Sequence, residues 1–148
     1  MGKRRLPFLA PTDTDRIYAA GFIDADGCIR VARIGKTFRA EISAAQREPA
    51  VLQWLAARWG ATVREQVIDG RIYYQWHVVG GMAEALCRDI EPYLIVKTSQ
   101  AGNLLSFCKS AAPIEGWIGG RLTYAGSGEF EERSRVLNTR QRKGESDG

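Results

Sequence analysis

Residues 19–27 read AAGFIDADG, an apolar run of small residues that ends in two aspartates. If the run is helical, Gly21 and Ala25 lie four apart on one face. Two small residues there let a second helix approach backbone against backbone. Phe22 and Ile23 point elsewhere, toward a core. Asp24 and Asp26 fall near the helix C-terminus, the end at which the macrodipole disfavours negative charge. Helix stability gives no reason for acids there, so a cation is their natural compensation. The plainer reading of Asp26-Gly27 is a turn, since Asp-Gly is a common turn pair.

The surrounding pattern supplies elements to hold this run. Thr12 and Asp13 are good N-caps for a helix over about Thr14 to Ala25. Two β-like runs follow, Gly27 to Arg33 and Thr37 to Ala44, joined through Ile34-Gly35-Lys36. Glu48 to Trp59 reads as a helix with Pro49 in its first turn and Gly60 at its end. Val51, Leu52, Leu55 and Trp59 line its buried face. A second hairpin joins Thr62 to Ile68 and Arg71 to Val79 through Asp69-Gly70, a two-residue turn signal. Gly80-Gly81 ends that strand or absorbs a bulge. Two more helices are expected, Met82 to Ile90, stopped by Pro92, and Val96 to Lys109. A glycine-rich loop and a charged helix over about Glu129 to Gln141 close the chain, before a frayed end, and the six acids among residues 111–148 favour a plain solvated helix there.

Two hairpins among helices imply an α+β domain, with a four-stranded antiparallel sheet and helices on one face. Strand alternation sorts the side chains. Ile29, Val31, Phe38, Ala40, Ile42, Val63, Val67, Ile72, Tyr74, Trp76 and Val78 share the apolar face. Arg30, Arg39, Glu41, Ser43, Arg64, Gln66, Arg71, Tyr73, Gln75 and His77 share the other. Taken by itself that face reads first as plain solvated surface, and it also suits nucleic acid, because Arg, Gln and Ser read base edges in a major groove.

Bulk properties narrow the class. The chain has 148 residues, enough for one domain with a real core, and a net charge of +4. Residues 1–110 hold fifteen Lys/Arg against eleven Asp/Glu, while residues 111–148 are balanced, so the basic excess belongs to the body. No apolar run approaches the roughly 18 residues of a membrane helix, and no signal peptide is read in MGKRRLPFLAP. An intracellular location follows as the expectation. Cys28, Cys87 and Cys108 lack paired spacing and read as free thiols. One histidine, His77, makes a structural zinc site a poor reading.

The nine-residue run resembles the motif of the LAGLIDADG homing endonucleases, with Ala19 and Phe22 at positions where the name has Leu. The order helix, hairpin, helix, hairpin, helix is similar to that family's unit over residues 1–110, which leaves 111–148 as a C-terminal extension of the same domain. The resemblance implies an αββαββα fold whose sheet forms a DNA-binding saddle. It further implies catalytic roles for Asp26, for Gln46 at the end of the second strand, and for Lys97 after Pro92-Tyr93-Leu94. A basic residue is also expected near Ala50, where Arg47 is the available substitute.

A single motif per chain implies a homodimer, with two motif helices packed through Gly21 and Ala25. Asp26 and the Ala25 carbonyl would hold Mg2+, with Mn2+ able to substitute. The implied activity is cutting of both strands of a long pseudo-palindromic duplex. Arg30, Arg39, Ser43, Arg64, Gln66, Arg71, Tyr73 and Gln75 are the expected base-edge contacts. Arg33 and Lys36, at a hairpin tip, are expected at phosphate. The alternative is a non-cleaving DNA- or RNA-binding protein on the same fold, an intron maturase or a transcription regulator. A structural dimerisation protein is a third reading, against which the basic sheet face argues.

Overall fold

Thr12 opens the first helix with a reciprocal cap. Its hydroxyl accepts from the Asp15 amide at 3.1 Å, and the Asp15 carboxylate accepts from the Thr12 amide at 3.1 Å. The computed structural model describes residues 9–110 and 128–142. The elements are α1 (Asp13–Asp26), β1 (Gly27–Ile34), β2 (Thr37–Gln46), α2 (Ala50–Trp59), β3 (Arg64–Ile68), β4 (Arg71–Val79), α3 (Gly80–Ile90), a 3-10 turn (Glu91–Tyr93), α4 (Thr98–Ser110) and α5 (Gly128–Arg142). The strands form one antiparallel sheet in the order β1-β2-β4-β3. The fold class is α+β, as the sequence implies. The loop expected after Pro113 and the frayed end lie outside the described residues. No helix among the described residues is long and apolar enough to cross a membrane.

Local chemistry explains the turns. Asp69 and Gly70 both take positive φ, 51° and 73°, as a two-residue hairpin turn of matching twist requires. Gly27 joins α1 directly to β1. A Cβ there would stand 2.9 Å from the Ile23 Cα, so any larger residue would force the helix end away from the strand.

The apolar face of the sheet meets α2, α3 and α4. Ile29, Ala40, Ile42, Trp76 and Val78 from the strands pack with Ile23, Leu52, Leu55, Leu86, Ile90, Leu104 and Phe107, all at 0% exposure. Burying each large apolar side chain contributes roughly 1.5–3 kcal/mol. The two polar tips in this layer are satisfied: Trp76 Nε1 donates to the Gly60 carbonyl at 2.8 Å and Trp59 Nε1 to Asp89 at 2.9 Å.

Several boundaries differ from the sequence reading. β2 runs on to Gln46, because its last residues pair with Tyr74 and Gln75 of β4. α2 begins at Ala50, with Pro49 as its N-cap. α3 begins at Gly80, and β4 keeps a regular register with no bulge, so its faces are not exchanged. The helical layer stops short of the sheet's far edge: Val67 is 68% exposed and Ile72 49%. The expected burial of those two residues is therefore corrected.

The last helix is also corrected, from a plain solvated helix to a docked one. Ser134 and Asn138, one turn apart on α5, serve the free edge of β1. Ser134 Oγ accepts from the Val31 amide at 2.9 Å, and Asn138 Nδ2 donates to the Ile29 carbonyl at 3.2 Å. Four residues of helix rise about 6.0 Å and two of strand about 6.6 Å, so the spacings match. An edge strand's unpaired groups are thereby covered. Asn103 of α4 ties the same helix down through Ser134 Oγ and the Phe130 carbonyl, and Phe130 packs edge-on against Phe107. The six acids that suggested solvation include Glu129 and Glu132, which lie on the exposed face.

Candidate functional site

The end of α1 separates the two aspartates of the motif. Asp24 is engaged with the chain that leads into α4: its carboxylate accepts from the Ile95 amide at 2.7 Å and from the Lys97 amide at 2.9 Å. Lys97 returns the contact, its ammonium donating to the Asp24 carbonyl at 2.6 Å. The ammonium therefore serves the C-terminal carbonyls of α1, where a cation is favourable. Part of the positive charge that two aspartates at a helix C-terminus demand is Lys97 itself. Asp26, the last residue of α1, is exposed, and no hydrogen bond or ion pair engages it among the described residues.

The other expected residues of the floor come to the same end of the sheet. Gly27 pairs with Ala44, so Gln46 sits two residues beyond the point where α1 hands over to β1. The bonds from Asp24 bring Lys97 there as well, 7% exposed. Asp26, Gln46 and Lys97, about twenty to seventy residues apart along the chain, are thus brought to one end of the sheet by strand register and the Asp24 clamp. Arg47 is exposed just after Gln46. Ala50 lies apart from this point, lining an apolar groove with Thr14, Tyr18 and Trp54. Among the described residues no group of three or more His, Cys, Asp or Glu side chains is gathered. Asp26 is left as an exposed carboxylate that no other described side chain engages at this end of the sheet.

Gly21 and Ala25 are exposed, and a Cβ added to Gly21 would meet nothing within 4 Å. With Ile17 at 54% and Tyr18 at 57% exposure, they leave an apolar strip along α1 that is largely uncovered among the described residues.

The register puts all eight expected base-edge residues on one face of the sheet. Cross-strand pairs on that face include Cys28 with Ser43, Arg30 with Glu41, Ser43 with His77, Arg64 with Gln75, Gln66 with Tyr73 and Ile68 with Arg71. Arg64, Gln66 and Arg71 are exposed, and Ser43, Tyr73 and Gln75 half-buried. None of these six has a side-chain hydrogen bond to another described residue. Arg33 and Lys36 stand at the first hairpin's tip, where Arg33 Nε is held by the Gly35 carbonyl at 3.1 Å.

Arg30 and Arg39 differ from the rest, for both grip Glu41, which is 2% exposed. Burial alone would raise the Glu41 carboxyl. The hydrogen bonds and charges of Arg30 and Arg39 outweigh burial and hold it below the ordinary glutamate value. His77 Nε2 lies 3.3 Å from the same carboxylate. A cavity of about 510 Å³ opens beside the cluster, walled by Arg135 and Asn138 of α5. Sequence reasoning placed Glu41 on this face without giving it a role. The hairpin register that sets it opposite Arg30, with Arg39 two residues away, was the available signal.

Solved structures share this fold. The homing endonuclease I-CvuI, in complex with its target in the presence of calcium, matches with a TM-score of 0.57 and 28% identity over 66% of this chain and 67% of that one. A second complex of I-CvuI, on the I-CreI target in 2 mM magnesium with the DNA not cleaved, matches at 0.56 and 29% over 66% and 68%. The chain has the fold of the LAGLIDADG homing endonucleases. An archaeal intron-encoded homing endonuclease, I-Vdi141I, complexed with DNA, shares the fold at 19% identity and a TM-score of 0.54, over 92% of this chain and 87% of that one. No family model and no curated protein matches the chain. In LAGLIDADG terms, AAGFIDADG is the second half of α1 plus Gly27, and its final aspartate is the free one.

Proposed function

We propose that the protein is a site-specific DNA endonuclease that acts as a homodimer with a divalent metal. The observation that carries this reading is the division of labour between the two aspartates. Asp24 is spent on holding the Ile95–Lys97 segment, while Asp26 is exposed where Gln46 and Lys97 converge. A binding protein has no use for a free carboxylate set beside the place where DNA phosphates would run, since it repels them.

The residues fit a hard divalent cation. Asp26 is a free carboxylate, and the Ala25 carbonyl belongs to a helix end whose C=O groups lack intrahelical partners. All-oxygen donation of this kind suits magnesium, with manganese as substitute. Pairing of the exposed α1 strips would bring two Asp26 side by side, a juxtaposition that repels unless cations share it. The ion would supply Lewis-acid activation of water and charge relief at the leaving 3′ oxygen. Asp26 and the Ala25 carbonyl would hold it. The Gln46 amide would orient the attacking water in line with the scissile phosphate. Lys97, which gives one ammonium proton to the Asp24 carbonyl, keeps two for the phosphate oxygens, where negative charge grows.

Double-stranded DNA would lie along the Arg/Gln face of each sheet, with base edges met by the side chains that have no partner in the protein. Residues 1–110 would form the endonuclease core, with 111–148 an extension of it. The test is incubation of the full chain with a plasmid library carrying randomised inserts, first in magnesium and then in calcium. Sequencing of linearised ends should show cuts in both strands at one pseudo-palindromic sequence in magnesium. Retention of a shifted but intact complex in both ions would overturn cleavage and leave a binding protein.

A further inference from the structure

We propose that Glu41 is a positioning residue for base readout, which fixes the guanidinium groups of Arg30 and Arg39 toward DNA and makes the two bases they read a coupled pair. The proposal rests on the reading that this sheet face lies against DNA.

The geometry assigns one carboxylate oxygen to each arginine. Oε2 accepts from Arg30 Nε at 2.7 Å and faces Arg30 Nη2 at 2.7 Å. Oε1 accepts from Arg39 Nε at 2.7 Å and faces Arg39 Nη2 at 2.6 Å. Each guanidinium thus commits its Nε–Nη2 side to Glu41. Three of its five N–H groups stay free, two of them on the Nη1–Nη2 edge. That edge is a planar fork of the width that meets O6 and N7 of guanine.

Glu41 is 2% exposed, so solvent does not compete for it. The Arg39 side chain is 13% exposed and Arg30's 53%, which makes Arg39 the deeper fork and Arg30 the outer one. Two cations this close would repel if nothing lay between them, and each long side chain would swing to whatever phosphate it could reach. A phosphate contact carries no sequence information. The shared anion keeps both forks off the backbone and removes most of their rotamer freedom before DNA arrives. Because one carboxylate serves both, displacing either arginine leaves the other's partner unbalanced. His77 of β4, 3.3 Å from Oε1, extends the same cluster across a third strand.

The test is selection of randomised DNA duplexes by the full-length protein in calcium, followed by sequencing. Arg30→Ala and Arg39→Ala first assign the two base positions in each half-site, and Arg64→Ala assigns a control position on β3. Glu41→Gln offers one acceptor oxygen and one donor where two acceptors are needed. It should cut the preference at one or both arginine-read positions by about tenfold or more and leave the Arg64 position unchanged. Non-specific binding should be equal to wild type or tighter, since a negative charge has gone. Glu41→Asp keeps the charge but withdraws the carboxylate by one methylene. It should give the same localised loss, and it is the variant to read if Glu41→Gln melts below the assay temperature. A wild-type profile at both positions, or a uniform fall at every position including Arg64's, overturns the proposal. If Arg64→Ala and Arg30→Ala each leave the profile untouched, the sheet face is not against DNA and both readings fall together.

Discussion

Asp24 and Lys97 hold each other by reciprocal bonds, each side chain engaging the other's main chain. The Asp24 carboxylate accepts from the Lys97 amide at 2.9 Å, and the Lys97 ammonium donates to the Asp24 carbonyl at 2.6 Å. A residue expected to be catalytic is thus fastened to the motif by a residue that is not. The pair also resolves why two acids tolerate a helix C-terminus. Asp24 has two amide donors and a nearby cation, whereas Asp26 has no compensating partner among the described residues.

The two aspartates should therefore fail in different ways. Asp26→Asn should abolish cleavage, leave specific binding in calcium intact and keep the wild-type melting temperature, since no other described side chain engages that carboxylate. Asp24→Asn replaces one acceptor by a donor that faces an amide N–H. It should cost about 1–3 kcal/mol of stability, or roughly 3–10 °C in Tm. Cleavage assays, gel shifts and thermal melts on both variants separate the roles. A cutting-competent Asp26→Asn would remove the mechanism proposed for this site.

Assembly can be tested at Gly21. A Cβ there meets nothing within 4 Å among the described residues, and replacing a helical glycine should gain up to about 1 kcal/mol of helix propensity. Gly21→Leu is thus expected to fold at least as well as wild type when monomeric. Between two paired helices the same side chain overpacks the contact, at a typical cost of 1–3 kcal/mol for each copy. Analytical ultracentrifugation should show wild type as a dimer at micromolar concentration and the variant as a folded monomer. A wild type that stays monomeric with and without DNA would sink the dimer.

The legible parts of this fold were the local ones. Gly35 and Asp69-Gly70 mark turns because positive φ leaves a signature in residue type, and alternation in the strands put the eight base-edge candidates on one face of the sheet. The docking of α5 was not legible. It depends on Ser134 and Asn138 meeting the edge of β1 more than a hundred residues earlier, and polar residues at helical spacing look the same whether they face water or a strand. The exposure of Val67 and Ile72 was hidden for a related reason: alternation says which face a residue is on, not how far the helices reach across it. Asp24 and Asp26 looked alike in sequence because the difference between them is made by Ile95 and Lys97, seventy residues away.

Glu41 gives the protein a defined weakness to acid. Its folded-state carboxyl is held below the ordinary value of 4.5 by Arg30 and Arg39, against the effect of burial. The unfolded chain binds a proton at that site before the native protein does. The Glu41 contribution to stability is therefore whole above about pH 4.5 and is lost as the pH falls from there through the lower folded value. Urea melts of wild type and Glu41→Gln from pH 7 down to pH 3 should show stabilities that converge as the acid limb is entered. A constant gap across that range would mean that the carboxylate charge is not what Arg30 and Arg39 hold.

Specific and non-specific contacts should separate at Arg64 and Lys36. Arg64 is exposed on the β3 face beside Gln75, with no partner among the described residues, while Lys36 stands in the turn between β1 and β2. If Arg64 meets a guanine edge with two hydrogen bonds, Arg64→Ala should cost about 1–3 kcal/mol at one base position per half-site. In a symmetric dimer that relaxed position should appear twice, mirrored about the centre. Lys36→Ala should instead weaken binding to every sequence alike and lower the salt slope by about one unit for each phosphate contact removed. One binding assay on single-base variants, run at two salt concentrations in calcium, reads both effects. A uniform loss for Arg64→Ala, with no mirrored pair of relaxed bases, would mean that Arg64 meets the backbone and that sequence is read elsewhere on the sheet.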